Sequence, residues 1–493
     1  MKLINLDMPL IDLGSGHFWT LRRAVEGVQI FGGIGSGKTS GSGELLALKY
    51  LKTGMGGLVL TVKPNEKQQW IDYCRATGRY DDLIVVEPNN GNYFNFLEYE
   101  SRDGGITENI VEVLKTVIRA SEEKATGKTD DPFWEAALDI LLFNVIDLCT
   151  LAYGKVSVQQ MYDIVLALPN SERNDNDVEF NAYTMAMYAA KKNVDAQVKI
   201  WREQQTAIAL NEIKTEEDLE NAVCSAIADA RTLKTLDEYF EKTYILLSEK
   251  TRSIIDFSFS GFLFHLLREP IYSLFCKHES NFTPDSCLDG KIILLNLPVK
   301  IYQKVGRDCQ IMFKYIWQRA MEKRPIEKDT MPVFLWADEA QNFLHEHDTD
   351  YQATARSSRI ATVYISQNLP NYLACMGGEK SKNRVDSFLG TMATKIFHAN
   401  VDIETNRYAS ELIGDGFFIE SSNAMTTSEH FSLTNSEAGK FDRLVRPEHF
   451  IKLKTGGPLN KYMVEGFMHA QGNPIMKNSN YTLINFEQNL ITQ

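Results

Sequence analysis

Eight residues near the start of the chain have the types and spacing of a loop that wraps the phosphates of a nucleotide. They are Gly32, Gly33, Ile34, Gly35, Ser36, Gly37, Lys38 and Thr39, and they fit the pattern G-x-x-x-x-G-K-[ST]. Glycine lets backbone N–H groups turn inward toward an anion and lets phosphates approach closely. Lys38 is expected to reach the β- and γ-phosphates, and the Thr39 hydroxyl to help hold Mg²⁺. The pattern predicts an ATP and Mg²⁺ site, the alternative being a merely flexible loop.

Two adjacent acids, Asp338 and Glu339, follow the apolar run Val333–Ala337. Nucleotide hydrolysis needs one carboxylate to anchor Mg²⁺, here Asp338 through its water shell, and another to orient and polarise the attacking water, here Glu339. An apolar run followed by Asp-Glu is common at strand-end turns. The phosphate loop upstream is the reason to interpret this pair as catalytic. No combination of Ser or Cys with His and Asp suggests a hydrolytic triad.

A glutamine, Gln367, follows the next apolar run, Ala361–Ile365. In a parallel α/β sheet the carboxyl ends of the strands border the nucleotide cleft. A Gln at that edge can hydrogen-bond the γ-phosphate or the attacking water, and it can equally be a surface residue of a loop. Both interpretations stay open from the sequence.

The elements around these residues predict a parallel α/β sheet. A strand precedes the glycine loop and a helix over 44–50 follows it, the order that phosphate binding requires. Further strands are predicted in two groups separated by a long helical region. They cover 16–20, 57–62 and 83–88 before that region, and 291–297, 333–337, 361–365 and 394–398 after it. Residues 418–438, rich in Ser, Thr, Asn and Glu, predict an exposed loop or hairpin.

The region between the two groups of strands has helical periodicity, and we expect an all-α insertion there. Its predicted helices cover 108–124, 133–153, 158–168, 182–209 and 216–248, and a second sheet-linked helix covers 306–323. The expected divisions are 1–103 with the phosphate loop, 104–285 for the insertion, and 286–493 with the acids and Gln367. Packing of these helices on one another explains their apolar faces without a ligand.

Composition limits the function classes. The net charge of −13 argues against a protein that coats nucleic acid with its whole surface, although a local basic channel remains compatible. Seven scattered Cys residues without a C-x-x-C pair fit buried thiols in a reducing compartment. The apolar stretch Phe133–Tyr153 contains three acids, so it is interpreted as a buried helix. With no signal-peptide pattern, we expect a cytoplasmic protein without an integral membrane segment.

Several separated segments resemble type IV secretion coupling proteins of the TraG/TraD type, within the FtsK/HerA-like branch of P-loop motor ATPases. Apart from the phosphate loop each segment is a loose match, and the shared order is the specific part. The segments are 78–88, 93–97, 131–134, 332–343, 356–368, 402–405 and 412–414. Two departures stand out: no transmembrane helices precede the phosphate loop, and the family's D-x-K reads Thr61-Val62-Lys63, which removes an acid.

The resemblance implies a RecA-like motor domain interrupted by the all-α domain between the two Walker motifs. It also implies a homo-hexameric ring, ATP-driven movement or recruitment of DNA, and a protein partner contacted through the all-α domain. Recruitment to a membrane complex is compatible with it.

The resemblance further assigns a role to Arg356, which occupies the position of an Arg found at this distance before the family's glutamine motif. Ring ATPases need a cation on the transferring phosphoryl group, and one subunit often supplies it to its neighbour. Arg359 is the close alternative, and both residues could be surface charges.

Two other functions remain open. One is a nucleotide-gated adaptor ring that recruits a protein partner without processive movement. The other is a HerA-like motor that powers a separate nuclease subunit. The basic cluster Lys380, Lys382 and Arg384 could touch DNA phosphates in a ring's pore, although a solvated loop is the simpler interpretation.

Overall fold

The computed structural model describes residues 4–102, 107–126, 132–169, 180–205, 215–376, 381–427, 431–472, 475–476 and 479–491. Thirteen strands lie in this part of the chain. They are β1 Pro9–Gly14, β2 His17–Thr20, β3 Val28–Phe31, β4 Gly56–Leu60, β5 Leu83–Val86, β6 Ile292–Leu295, β7 Val333–Asp338, β8 Ile360–Ser366, β9 Thr394–Phe397, β10 Asp415–Thr427, β11 Phe431–Arg443, β12 Met463–Ala470 and β13 Tyr481–Glu487. The strands predicted from the sequence are confirmed, with ends shifted by a few residues.

Nine strands form one central sheet in the order β13-β12-β9-β3-β8-β7-β4-β6-β5. The run from β9 to β5 is parallel, whereas β12 and β13 pair in antiparallel fashion at one edge. The inner strands are buried on both faces, which explains their almost continuous apolar sequences. Strand β8 lies between the strand that leads into the phosphate loop, β3, and the strand that leads to Asp338, β7.

The remaining four strands form two hairpins outside the central sheet. The pair β1 and β2 contacts the central sheet through Trp19, which donates to the Thr394 hydroxyl at the start of β9. Strand β10 pairs with β11 in unbroken register from Asp415↔Arg443 to Thr427↔Phe431. The predicted loop or hairpin at 418–438 is therefore a hairpin. At its base Phe417, Ile419 and Phe441 are exposed.

Eighteen helices lie in the described part of the chain. They are α1 Leu21–Ala24, α2 Glu44–Thr53, α3 Glu66–Ala76, α4 Phe96–Glu100, α5 Thr107–Thr126, α6 Pro132–Tyr153, α7 Val158–Leu166, α8 Ala182–Gln204, α9 Glu216–Ala226, α10 Ala228–Glu238, α11 Glu249–Leu266, α12 Ile271–Phe275, α13 Val299–Lys323, α14 Asp348–Ala355, α15 Leu369–Met376, α16 Ser381–Thr391, α17 Ile403–Ile413 and α18 Pro447–Ile451. Nine of them, α4 to α12, separate β5 from β6. The described residues of the region predicted to be helical thus contain helices joined by turns and no strand, and the helix predicted over 216–248 is divided at Ile227.

Helix α6 is the one helix in the described residues that is long and apolar enough to cross a membrane. More than half of its most apolar window is buried inside the protein. Its acids also have partners, because Asp139 pairs with Lys115 and Glu135 pairs with Arg119, both on α5. These contacts agree with a core helix.

The two faces of the sheet belong to two hydrophobic clusters. The larger cluster contains residues of the helical region, such as Leu141 and Phe259, together with Leu335 of β7 and Phe313 of α13. The helical region thus packs directly on the sheet. Close packing within the sheet itself requires Gly57, where a Cβ atom would lie 2.5 Å from the Phe334 ring.

Helix α13 begins earlier than the sequence suggested, at Val299 instead of Gly306, and Gln303 interrupts it with a φ of 49°. A side chain at Gly306 would lie 2.8 Å from the carbonyl oxygen of Leu297, so only glycine fits where the helix restarts. The first turn of α13 is thereby turned toward the carboxyl ends of the strands.

A buried ion pair fixes the loop that follows Glu339. The Lys314 ammonium on α13 lies 2.7 Å from both carboxylate oxygens of Asp348 and donates to the Phe343 carbonyl at 2.8 Å. Gln318 donates to the same carboxylate. Burial alone would raise the pKa of Asp348, but His345 and Lys314 lower it to about 2. The Asp348 carboxylate is therefore ionised at neutral pH, whereas burial lowers the pKa of Lys314 against the opposing charge of Asp348.

We expect Lys314→Met to lower the free energy of unfolding by about 3–5 kcal/mol, because it leaves the Asp348 carboxylate buried without its cation. Urea unfolding followed by fluorescence measures this loss. The double variant Lys314→Met/Asp348→Leu should recover most of it, and Lys440→Met, which removes an exposed ion pair, should change little. An unchanged urea midpoint in Lys314→Met would contradict the assignment.

Candidate nucleotide site

The loop from Gly32 to Thr39 joins β3 to α2 at the carboxyl edge of the sheet. Gly35 and Gly37 adopt φ values of 72° and 79°, a conformation that favours glycine. A Cβ atom at Gly37 would also lie 2.5 Å from Val464 of β12, so the edge strand holds the loop from outside. A short π-type turn, Thr39–Gly43, precedes α2 and accommodates the two glycines that weaken its start.

The eight residues of the loop have different roles in this structure. The N–H groups of Gly32 and Gly33 donate to the carbonyls of Ser366 and Ala399, at 3.3 and 2.8 Å. They anchor the loop to neighbouring strands and are not directed at a ligand. Ile34 is almost fully exposed. The part that lines the cavity runs from Ile34 to Ser40.

The predicted metal-binding pair comes together. The Thr39 hydroxyl donates to the Asp338 carboxylate at 3.0 Å, although 299 residues separate them. Lys38 is buried beside them, and burial lowers its pKa while the charges of Asp338 and Glu339 oppose that shift. One hydroxyl and one carboxylate are thus held at the mouth of the loop.

Glu339 and Gln367 also meet. The Gln367 amide donates to one Glu339 oxygen at 3.1 Å, and the Gln341 amide donates to the other at 2.9 Å. Burial alone would raise the pKa of Glu339, but these amides and the ammonium groups of Lys63 and Lys38 lower it. Glu339 has a left-handed backbone, with φ 51°, which turns it out of the strand direction. The site holds an ionised carboxylate in a fixed orientation.

Lys63 is a site residue that the sequence did not single out as one. Its ammonium lies 3.4 Å from Asp338 and 3.5 Å from Glu339. Burial by itself would lower the pKa of Lys63, but these two carboxylates outweigh it and the net shift is upward. Its position in the D-x-K-like triplet after β4 was the available signal.

Glu66 is a second residue that the sequence did not reveal. Its Oε2 accepts from the N–H groups of Val62 and Lys63, whereas its buried Oε1 has no hydrogen-bond partner in the described structure. Burial, assisted by the charge of Asp338, raises the pKa of Glu66 to about 8. The D-x-K triplet of the resembled family has an acid where this chain has Thr61. Here the Glu66 carboxyl group, bound to the N–H groups of Val62 and Lys63, lies next to that position. Thr61 instead donates to the Leu295 carbonyl.

Two contacts hold the start of α2 from the far side. The buried His398 ring lies 2.7 Å from the Ser42 hydroxyl and 2.8 Å from the Glu465 carbonyl. The Gln488 amide donates to Ser40 at 2.6 Å and accepts from the Gly457 N–H. Strands β12 and β13 thus support the phosphate loop, a function that the sequence did not predict for them.

The cavity at this edge has a volume of about 1550 Å³, large enough for a nucleoside triphosphate. Ser36 has a buried hydroxyl without a hydrogen-bond partner among the described residues, which fits a ligand oxygen in the loop. The described residues contain no cluster of three or more His, Cys, Asp or Glu side chains suited to a metal. Mg²⁺ characteristically binds one or two carboxylates, phosphates and water, and Thr39 and Asp338 fit that requirement.

Arg356 does not reach the cavity of its own chain. It precedes β8, at the opposite edge of the sheet from the loop, is mostly exposed, and its Nε lies 3.4 Å from Glu26. The alternative, Arg359, donates to the carbonyl of Thr330 at 2.6 Å and supports the turn into β8. A role for Arg356 in a neighbouring subunit's site stays a prediction.

The basic cluster remains only partly described. Lys382 is exposed at the start of α16, and Arg384 donates weakly to the Met376 carbonyl at 3.5 Å. Lys380 lies outside the described residues. No DNA contact is assigned to this cluster from the structure.

Comparison with protein families matches residues 332–455 to the family described as "TraM recognition site of TraD and TraG". This segment contains Asp338, Glu339, Arg356 and Gln367. No curated protein sequence matches the chain significantly.

Solved structures of a bacterial conjugative coupling protein, TrwB, share the fold over almost the whole chain. The unbound form of TrwBdeltaN70 is 14% identical with a TM-score of 0.59, covering 94% of this chain and 85% of its own. TrwB in complex with ADP and Mg²⁺ is 13% identical with a TM-score of 0.58, covering 96% and 87%. The complex with the GTP analogue GDPNP is 13% identical with a TM-score of 0.57, covering 96% and 88%. The chain thus shares the RecA-like α/β fold of TrwB, and its residues 332–455 match a segment described for TraD and TraG.

Proposed function

We propose that this chain is a Mg²⁺-dependent ATPase that recruits or translocates DNA as a homo-hexameric ring. The meeting of Thr39 with Asp338 and of Gln367 with Glu339, at one edge of the sheet, is the observation that carries the proposal. The complexes of TrwB with ADP and Mg²⁺, and with analogues of ATP and GTP, support nucleotide and Mg²⁺ as ligands of this cavity.

The chain's own residues divide the chemistry. The loop from Gly35 to Thr39 binds phosphate oxygens with backbone N–H groups and the Lys38 ammonium. When bound, Mg²⁺ neutralises charge on the phosphates, and Thr39 and Asp338 hold it. Glu339, ionised and fixed by two amides, orients and polarises the attacking water. Gln367 joins that carboxylate to the end of β8, so a change at the site reaches the strand between the two motifs.

Lys63 adds a cation whose contacts are expected to change when a nucleotide binds. It bridges Asp338 and Glu339. Thr39 and Asp338 would hold Mg²⁺, and Lys63 would then share the Asp338 carboxylate with that charge, so its ammonium is placed to contact Glu339 or phosphate oxygens instead.

The chain's likeness to TraG/TraD-type coupling proteins leads us to propose DNA as substrate, a ring assembly and a protein partner. The helical region from α4 to α12 is the partner surface that the resemblance implies. The recognition segment described for TraD and TraG matches residues 332–455 instead, outside those helices, and favours a partner surface there. We propose the cytoplasm as the place of action, a location compatible with recruitment to a membrane complex. A nucleotide-gated adaptor ring and a HerA-like motor serving a separate nuclease are the competing functions.

DNA-stimulated ATP hydrolysis separates a motor from an adaptor. We expect double-stranded or single-stranded DNA to raise the ATPase rate of the purified protein, and Lys38→Ala to reduce that rate by at least about a hundredfold because a cation on the phosphates is lost. Circular dichroism should show an unchanged fold in the variant. A rate indifferent to every DNA tested would favour the adaptor.

Glu339→Gln is expected to bind ATP as the parent does and to slow hydrolysis by about 10²–10⁴-fold, since an amide keeps the position but polarises water poorly. Equilibrium binding of a fluorescent ATP analogue and single-turnover hydrolysis measure the two effects. Glu448→Gln, an exposed carboxylate on α18, serves as the matched control. Parent-like turnover in Glu339→Gln would show that another group orients the water.

Arg356→Ala should bind ATP normally and hydrolyse it poorly if it acts on the neighbouring subunit. Mixing it with Lys38→Ala subunits should then restore activity, because some interfaces pair an intact loop with an intact Arg. Arg407→Ala, another exposed arginine, is the control. No recovery in rings shown by mass spectrometry to contain both variants would remove Arg356 from the site.

A further inference from the structure

A second cleft, of about 700 Å³, lies between the β9–β12 strand pair and helices α16 and α17. It is remote from the phosphate loop. Lys395 is opposite Gln29 near the start of β3, whereas the loop follows the end of that strand. The cleft also lies outside the machinery assigned above.

The floor of the cleft is a buried lysine without an anionic partner. Lys395 is 5% exposed, and its ammonium donates to the Met392 carbonyl at 2.6 Å. No carboxylate among the described residues lies within ion-pair distance of it. Burial lowers the pKa of Lys395 to about 8, so most of these amines still carry a proton at neutral pH. An ammonium has three N–H donors, and one carbonyl uses only one of them.

His469 lies directly across from Lys395 in the antiparallel register of β9 and β12. It is 9% exposed, and its Nδ1 has no hydrogen-bond partner in the described structure. Burial, with a contribution from Lys395, lowers the pKa of His469 to about 4, so the ring is neutral. A neutral ring can donate one hydrogen bond from Nδ1 in the appropriate tautomer.

A buried cation without a counter-ion and a buried ring nitrogen without a hydrogen-bond partner are costly unless a ligand satisfies them. Both needs are met by an oxygen-bearing anion, which accepts from the ammonium and from the imidazole N–H.

The rim limits the size of that anion. Three acids line the cleft, Asp386, Glu404 and Glu411, and Glu404 and Glu411 pair with Arg407 and Arg443. These acids repel an extended polyanion such as a DNA backbone more strongly than a single anionic group, because each further charge adds to the repulsion. Lys382 and Arg407 also line the cleft and supply opposing charges.

We propose that this cleft binds one compact oxyanion, a carboxylate or phosphate group, through Lys395 and His469. The group is either a free ion or the side chain of an acidic protein segment.

Protection of Lys395 from trace acetylation tests the site directly in the full-length protein. The protein is labelled briefly with acetic anhydride near pH 8 in chloride, acetate or inorganic phosphate at equal ionic strength, and modification is quantified by peptide mass spectrometry. We expect at least about threefold less labelling of Lys395 in phosphate or acetate than in chloride, as mass action requires above the dissociation constant. The exposed Lys452 should be labelled equally in all three.

Three further measurements distinguish a free ion from an acidic protein segment, and the cleft from the phosphate loop. Lys38→Ala should show the same protection, because the cleft is independent of the phosphate loop and of the proposed ATPase. His469→Phe should weaken the protection. An oligoglutamate peptide that protects at lower concentration than free acetate would identify a protein segment as the source. Equal labelling in all salts, absence of labelling at Lys395, or protection by DNA alone would overturn the proposal.

Discussion

The hydrogen bond between Thr39 and Asp338 depends on the order of strands in the sheet. Its partners are 299 residues apart, and they meet because β3 and β7 end at the same edge with one strand, β8, between them. That intervening strand carries Gln367 to a point within 3.1 Å of Glu339. Because β3, β8 and β7 are parallel, the residues that follow each of them lie at the same edge of the sheet. The chemistry of the site is therefore a consequence of topology before it is a consequence of any single loop.

Several charged groups lie together at this edge of the sheet, so the protonation state of each depends on the charge of its neighbours and of a bound ligand. Asp338, Glu339 and Glu66 bring three buried carboxyl groups together around the buried Lys38 and the half-exposed Lys63. Low dielectric strengthens each interaction, and the groups separate into different protonation states: Glu339 is ionised, whereas burial raises the pKa of Glu66 to about 8. A ligand that brings both phosphates and a divalent cation changes every one of these balances at once.

Much of this arrangement was predictable from local sequence. The glycine loop, Asp338, Glu339 and Gln367 each follow a buried strand, and buried parallel strands have recognisable apolar runs such as Ile292–Leu295. The edge strands β12 and β13 were missed because their exposure alternates and their sequences are partly polar. Lys63 and Glu66 were missed for another reason: their roles depend on Asp338, which lies 275 residues beyond Lys63. The break in α13 at Gln303 likewise depends on the packing of Gly306 against Leu297.

Side chains of the helical region and of α13 contact the loop that follows Glu339, residues 340–348. Arg119 on α5 lies 3.0 Å from Glu346, in the loop that follows Glu339, and Lys314 on α13 holds the carbonyl of Phe343 and the carboxylate of Asp348 in that same loop. Side chains of α5, α6 and α13 share one hydrophobic cluster with β7. A displacement of α5 is therefore expected to move the segment 343–348 through direct contacts, and this segment is linked along the chain to Glu339. Contacts of this kind give the helical region a physical route to the site, and its helices form part of the core beside the sheet.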